Sequence, residues 1–230
     1  MITRNNFKLD LQDEGEILLI DKPIDWTSFD VVRKIKSIFN IKKAGHAGSI
    51  DPKATGLLIV CTGKKTKELR NFMELDKEYI GKFQLGITTP SYDTETEIVE
   101  KRDTSNIEET KVKELAKSFI GKRKQFPPIY SAIKYKGKPL YKYARKGRKI
   151  EVEPRDIRIN EFEITNFDNP YVDFRISCSK GTYIRALVNE FGNILGCGAT
   201  LLSLRRVRIG NYFVDDAISI NELMESKQTE

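Results

Sequence analysis

The residues best suited to chemistry meet in one stretch, Gly45-His46-Ala47-Gly48-Ser49-Ile50-Asp51-Pro52-Lys53-Ala54-Thr55-Gly56, which holds the chain's only histidine and a single carboxylate. Its glycines allow positive φ and a close approach of backbone to ligand, and Pro52 sets the turn after the acid. Neither helical nor strand periodicity runs through it, so it reads as a loop feeding the apolar strand Leu57-Leu58-Ile59-Val60. A carboxylate presented from such a loop can serve as nucleophile or base if it stays ionised and is well aimed. It can equally cap a neighbouring backbone N–H, and residue types alone leave both readings open. Arg185, one turn into a helix after the corner Gly181-Thr182-Tyr183, is a cation able to hold an aspartate charged and oriented. A surface arginine at a helix start is the plainer alternative.

Other chemistries are pruned by what is missing. With one histidine, any Ser-His-Asp triad or His-based metal centre would have to be built around His46. Neither a P-loop nor a dinucleotide fingerprint is present. Cys61, Cys178 and Cys197 lie far apart, so neither a disulfide framework nor a zinc knuckle follows, and a reducing cytoplasm is the simplest setting. No metal site is expected. There is no apolar run of membrane-spanning length and no h-region near Met1, so no membrane attachment is expected.

The elements that must carry these residues follow from periodicity. Glu16 to Ile20 reads as a buried strand before Lys22-Pro23. Thr27, with Asp30 in the first turn, caps a helix whose apolar stripe is Phe29, Val32, Ile35 and Phe39. Lys64 to Leu75 reads as a helix with Leu69, Phe72 and Met73 inward, and Lys77 to Thr89 as a strand bearing Tyr79. Ile107 to Ile120 is an amphipathic helix capped by Asn106. Two strands, from Glu151 to Phe167 and from Val172 to Ser177, form a hairpin around Asp168-Asn169-Pro170. Tyr183 to Leu195 is a helix, Leu201 to Val207 a strand, and Ser219 with Glu222 a capping box before the polar tail from Ser226. Helices and strand hairpins without strict βαβ alternation predict an α+β fold with a largely antiparallel sheet.

Charge is distributed unevenly. The chain carries 40 Lys+Arg against 33 Asp+Glu, a net +7, yet Gly121 to Ile150 contains no acid at all. Lys122, Lys124, Lys134, Lys136, Lys138, Lys142, Arg145, Lys146 and Arg148 are threaded there with Tyr130, Tyr135, Tyr141 and Tyr143. Most charge runs are solvated faces, but an acid-free one repels itself until a polyanion arrives. Cations interleaved with stackable rings suit an RNA backbone and its unstacked bases.

The loop around Asp51 resembles the catalytic motif of the TruB family, the bacterial tRNA pseudouridine-55 synthases. Leu19-Ile20-Asp21-Lys22-Pro23, Asp76-Lys77-Glu78-Tyr79, Pro128-Ile129-Tyr130-Ser131-Ala132-Ile133-Lys134, Cys178 to Arg185 and Leu204-Arg205-Arg206 are similar to that family in the same order, over about Gly15 to Val214. The resemblance implies a pseudouridine synthase fold in one catalytic domain spanning residues 1–230. It implies Asp51 as nucleophile, Tyr79 as the tyrosine that stacks on the flipped base, and Arg185 as the arginine paired with the nucleophile. It also implies Tyr183 and Leu204 in the uracil pocket, Lys22 as support for the catalytic loop, and His46 as the ring that replaces extruded bases. Residues 122–150, with Tyr130 and Lys134, correspond to an RNA-clasping insertion. The implied partner is the T-arm of tRNA. No cofactor is implied, because isomerisation needs neither redox nor added energy. A monomer without protein partner is the expectation. Ile50 departs from the usual Leu, and Thr88 to Asp93 is a loose version of a Thr/Asp-rich loop, which keeps Asp93 outside the expected catalytic set. The family's C-terminal RNA-binding domain is expected to be missing. Two alternatives remain in view: an RNA-binding or chaperone domain without turnover, and a synthase acting on another RNA.

Overall fold

The computed structural model describes residues 1–4, 15–131, 133–148, 150 and 152–226, so Ala132, Lys149 and nearly all of the polar tail lie outside the described residues. In chain order the elements are β1 (Ile17–Lys22), α1 (Ser28–Phe39), β2 (Ala44–His46), β3 (Ala54–Thr62), α2 (Leu69–Glu74), β4 (Lys77–Leu85), β5 (Ile87–Thr88) and β6 (Glu100–Lys101). There follow α3 (Glu109–Ser118), β7 (Gly121–Gln125), β8 (Lys134–Tyr135), β9 (Lys138–Pro139), α4 (Leu140–Ala144), β10 (Arg155–Asp168) and β11 (Tyr171–Cys178). The last are α5 (Ile184–Leu195), β12 (Ala199–Ile209), β13 (Tyr212–Phe213), β14 (Ile218–Ser219) and α6 (Ile220–Ser226). Residues 1–80 and 204–230 form one compact unit, and residues 81–203 form a second. The pairings are mostly antiparallel, with β1·β14 and β12·β3 parallel. This is the expected α+β architecture, a largely antiparallel sheet flanked by helices.

In the first unit the strand order is β14-β1-β3-β12, continuing to β4, with β2 on β3 and β13 on β12. Both faces of β1 and β3 are covered, which is why these strands read as unbroken apolar runs. Leu18, Ile20, Leu58 and Val60 pack against Val31, Val32, Ile35 and Ile38 of α1. Their alternates Ile17, Leu19, Leu57 and Ile59 pack against Phe72, Ile209 and Val214. Thr27 caps α1 as expected, and Asp30 completes a capping box: Asp30 N–H donates to the Thr27 hydroxyl, and Thr27 N–H donates to the Asp30 carboxylate. Its stripe is rotated from the expected one. Phe29 is 65% exposed, because Ser28 takes the inward position and bonds the backbone of Ile50.

Three further elements differ from their sequence reading. The segment before β4 begins as a 3-10 helix, Gly63–Glu68, and becomes α-helical only over α2, with Phe72 buried and Met73 exposed. The strand from Lys77 stops at Leu85, where Gly86 takes a φ of +79 and β5 begins afresh. Glu108, not the expected Asn106, takes the N-cap position of α3 and makes no side-chain cap bond; Ile107 N–H already bonds Thr104 and closes a turn ahead of the helix. The Ser219–Glu222 capping box forms as predicted.

In the second unit the order is β4-β11-β10-β7. Its core is a stack of rings: Phe191 of α5 lies 5.4 Å from Phe83, 5.5 Å from Phe119 and 5.7 Å from Phe162, centroid to centroid. Such tilted and edge-on contacts suit aromatic quadrupoles. The helix ends at Gly196 in the left-handed conformation. Among the described residues, no helix is long and apolar enough to cross a membrane.

Candidate active site

The loop bearing Asp51 is shorter than its sequence suggests, because His46 closes β2 and Ala54 opens β3. Between them Ala47 is buried and donates to Ile59, Gly48 takes a φ of +90, and Ile50 is pinned by the Ser28 hydroxyl at 3.0 Å. Ala54 N–H donates back to the Asp51 carbonyl, closing the turn that Pro52 begins. The Asp51 side chain is half-buried at this turn.

Two buried cations support the loop from beneath. Lys22, at the end of β1, is fully buried; its Nζ donates to the carbonyls of Trp26 at 2.7 Å, Pro23 at 2.8 Å and Pro52 at 3.4 Å. Arg206, 1% exposed on β12, donates from Nε to Leu57 at 2.7 Å and from its two Nη to Ser49 and Gly48 at 3.4 Å. Strand register brings them together: Lys22 pairs with Gly56 across β1·β3, and Arg206 pairs with Gly56 across β12·β3. Gly56 must lack a side chain, since its φ is +102 and a Cβ there would meet the Arg206 carbonyl oxygen at 2.3 Å.

The charges answer one another. Burial pushes the Lys22 ammonium down to about 8, the Arg206 cation pushes it the same way, and the negative charge of Asp51 opposes both. His46 is likewise held below the usual imidazole range by burial and then by Arg206, against the Gly48 backbone. So the loop offers one acid above two cations that are already committed to backbone carbonyls. Arg205 points the other way, forking onto the Asp21 carboxylate at 2.7 and 3.0 Å. Leu204 is buried on the same strand beside Ala54.

Tyr79 is buried on β4 and its neighbours are anchored. Lys77 donates to the carbonyls of Met73 and Leu75 and so closes the end of α2, while Glu78 holds Arg208 of β12 at 2.7 Å.

In the second unit Arg185, 3% exposed near the start of α5, donates to the carbonyls of Tyr130 at 2.6 Å and Ser91 at 3.2 Å. Its Nε stands 3.7 Å from the Asp93 carboxylate, and its guanidinium carbon lies 5.8 Å from the Tyr183 ring centre. Tyr183 is fixed through its backbone, which exchanges two hydrogen bonds with the buried amide of Gln125. Asp93 is built in with equal care: its carbonyl accepts from Thr89 and Ser91, and its carboxylate accepts from the N–H of Glu95. Tyr130, Tyr183 and Arg185 are thus brought together, whereas Lys134 is exposed on the β8–β9 hairpin.

Three site residues escape the sequence reading. Asp93 sits beside Arg185 although its loop matches the expected pattern loosely. Gln125 ends a strand of cations and gives no local sign of its role. Arg206 did carry a signal, since strand alternation puts it on the same face as the buried Leu204.

Solved structures share this architecture. A Cbf5-Nop10-Gar1 complex aligns with a TM-score of 0.72 and 27% identity over 98% of this chain, and an H/ACA RNP bound to a substrate RNA containing 2'-deoxyuridine aligns with a TM-score of 0.71 and 26% identity over 96%. The chain spans a little over half of those two chains, 58% and 56%. The class is set by the family models, which are those of pseudouridylate synthases. Residues 36–184 match the family model described as TruB family pseudouridylate synthase, N terminal domain, and residues 185–230 match the one described as tRNA pseudouridylate synthase B C-terminal domain. The chain is 50% identical over 222 residues to the tRNA pseudouridine synthase B of Flavobacterium johnsoniae, covering 94% of this chain and 97% of that protein. It is 48% identical over 220 residues to the protein of that name from Chlorobaculum tepidum, covering 94% and 92%. The chain belongs to the TruB family of pseudouridylate synthases.

Proposed function

We propose that this enzyme isomerises uridine to pseudouridine in the T-loop of tRNA, at position 55, with Asp51 as the nucleophile. The C1′–N1 glycosidic bond breaks, uracil turns, and C1′ bonds to C5; C5 gives up its proton and N1 takes one up, so the product is an isomer of the substrate. The observation that carries the reading is the Asp51 turn, held at its carbonyls by the buried cations Lys22 and Arg206. A loop restrained in this way aims its acid before substrate arrives, which is how positioning lowers a barrier. Tyr79 stacks on the swung-out base, Tyr183 and Leu204 line its pocket, and Arg185 supplies the guanidinium of the family motif. His46 covers the gap left in the T-loop; extrusion costs a few kcal/mol that stacking and phosphate contacts offset. The cations and tyrosines of residues 122–150, including Tyr130 and Lys134, contact the T-arm backbone.

The test is incubation with an unmodified tRNA transcript followed by carbodiimide mapping of pseudouridine. The expected result is one new pseudouridine in the T-loop. Asp51→Asn keeps the shape and removes the charge, so it should abolish product while leaving transcript affinity within about twofold. Product with Asp51→Asn refutes the nucleophile. Pseudouridine formed only in ribosomal RNA refutes the substrate. A wild-type protein that binds the transcript without turnover refutes the enzyme.

A further inference from the structure

Among the described cations of residues 122–148, two already hold an acid: Arg123 with Glu190 of α5, and Arg145 with Glu95. Arg123 also lies 4.1 Å over the Phe119 ring, so it belongs to the packing of β7 on α5. Arg145 is different. It follows α4 directly, is largely exposed, and stands 5.5 Å over the Tyr141 ring, yet its Nη2 is 2.9 Å from Glu95 Oε1. Lys134, Lys136, Lys138, Lys142, Lys146 and Arg148 around it are exposed, with no ion pair among the described residues.

Glu95 is placed to matter beyond this contact. Its N–H donates to the Asp93 carboxylate at 2.9 Å, and that carboxylate faces Arg185. Arg185 in turn holds the carbonyl of Tyr130, a residue within the basic segment. One acid therefore touches the basic segment through its side chain and the Arg185 cluster through its backbone.

We propose that Glu95 is a positioning residue that stands in for an RNA phosphate: its carboxylate keeps Arg145 docked on the loop that carries Asp93 until a phosphate of the incoming RNA takes its place. This rests on the reading of residues 122–150 as an RNA contact. The chemistry is an exchange of anions at one guanidinium, and no covalent step is involved. A carboxylate and a phosphate oxygen offer Arg the same forked acceptor, so the exchange needs little rearrangement of the Arg145 side chain. The pair is exposed and weak, as a displaceable contact must be.

The consequence runs against the usual effect of deleting an ion pair. Glu95→Gln retains size and backbone, frees Arg145, and should tighten binding of an unmodified tRNA transcript by about twofold to fivefold, the range of one exposed pair. Arg145→Gln should weaken binding and lower the slope of log affinity against log salt by about 0.7 to 0.9, one phosphate contact. In the Arg145→Gln background, Glu95→Gln should have no further effect on affinity, because Glu95 acts through Arg145. Weaker or unchanged binding in Glu95→Gln, or the same tightening without Arg145, overturns the proposal. Thermal melts of all three variants separate these outcomes from loss of fold. Because the readout is affinity, failure to form pseudouridine would count against the proposed reaction and leave this exchange tested on its own terms.

Discussion

Lys22 should make this protein more stable as the solution becomes alkaline, against the usual trend of a basic protein losing its charges. The perturbation is Lys22→Met, compared with the unaltered chain by urea unfolding from pH 7 upward. In the folded chain the ammonium is fully buried and sits near a second buried cation, Arg206, so its protonation midpoint falls from 10.5 to about 8. Below about 8 both folded and unfolded chains keep this proton, and the cost of burying the charge is constant. Between about 8 and 10.5 the unfolded chain binds more protons than the folded one, so unfolding free energy rises with pH. At about 1.4 kcal/mol per pH unit, the gap between 10.5 and about 8 amounts to about 3 kcal/mol. Lys22→Met has no such proton to lose, so the difference between the two proteins should shift by about that amount in favour of Lys22 across the window. Groups that titrate elsewhere cancel in the comparison. Neighbouring charges provide a second check. Arg206→Met removes a cation that lowers the Lys22 midpoint and should move the rise to higher pH. Asp51→Asn removes the anion that raises it and should move the rise to lower pH. A stability difference independent of pH, or one that shrinks as pH climbs, would refute the placement of Lys22 between a buried arginine and the Asp51 turn.

Gly56→Ala should destabilise by about 2–3 kcal/mol in chemical denaturation, from positive φ at a residue with a Cβ and from contact with the Arg206 backbone. Wild-type stability there would mean that β3 and β12 are less closely paired than described. Phe191→Ala removes a ring touching Phe83, Phe119 and Phe162 and should cost about 3–5 kcal/mol. A loss under about 1 kcal/mol would show that the second unit does not depend on this stack.

Elements held by near neighbours were legible from residue order. The Thr27–Asp30 and Ser219–Glu222 boxes, the helix of Tyr183 to Leu195 with its glycine stop, and the hairpin at Asp168-Asn169-Pro170 all use contacts within a few positions. So did the recognition of Asp51, since its glycines and proline lie beside it in the chain. The errors arose where a distant partner decided: Ser28 faces inward because Ile50 needs its hydroxyl, and that turned Phe29 to solvent. Sequence by itself thus determined the family, the α+β class and which acid stands on the candidate catalytic turn. Tertiary structure alone decided what surrounds that acid. Lys22, Gly56 and Arg206 come from three strands and share a row because of register. Asp93 meets Arg185 across 92 positions of chain. A buried cation persists only where carbonyls and counter-charges converge on it from several elements, and no local pattern of residues encodes that convergence.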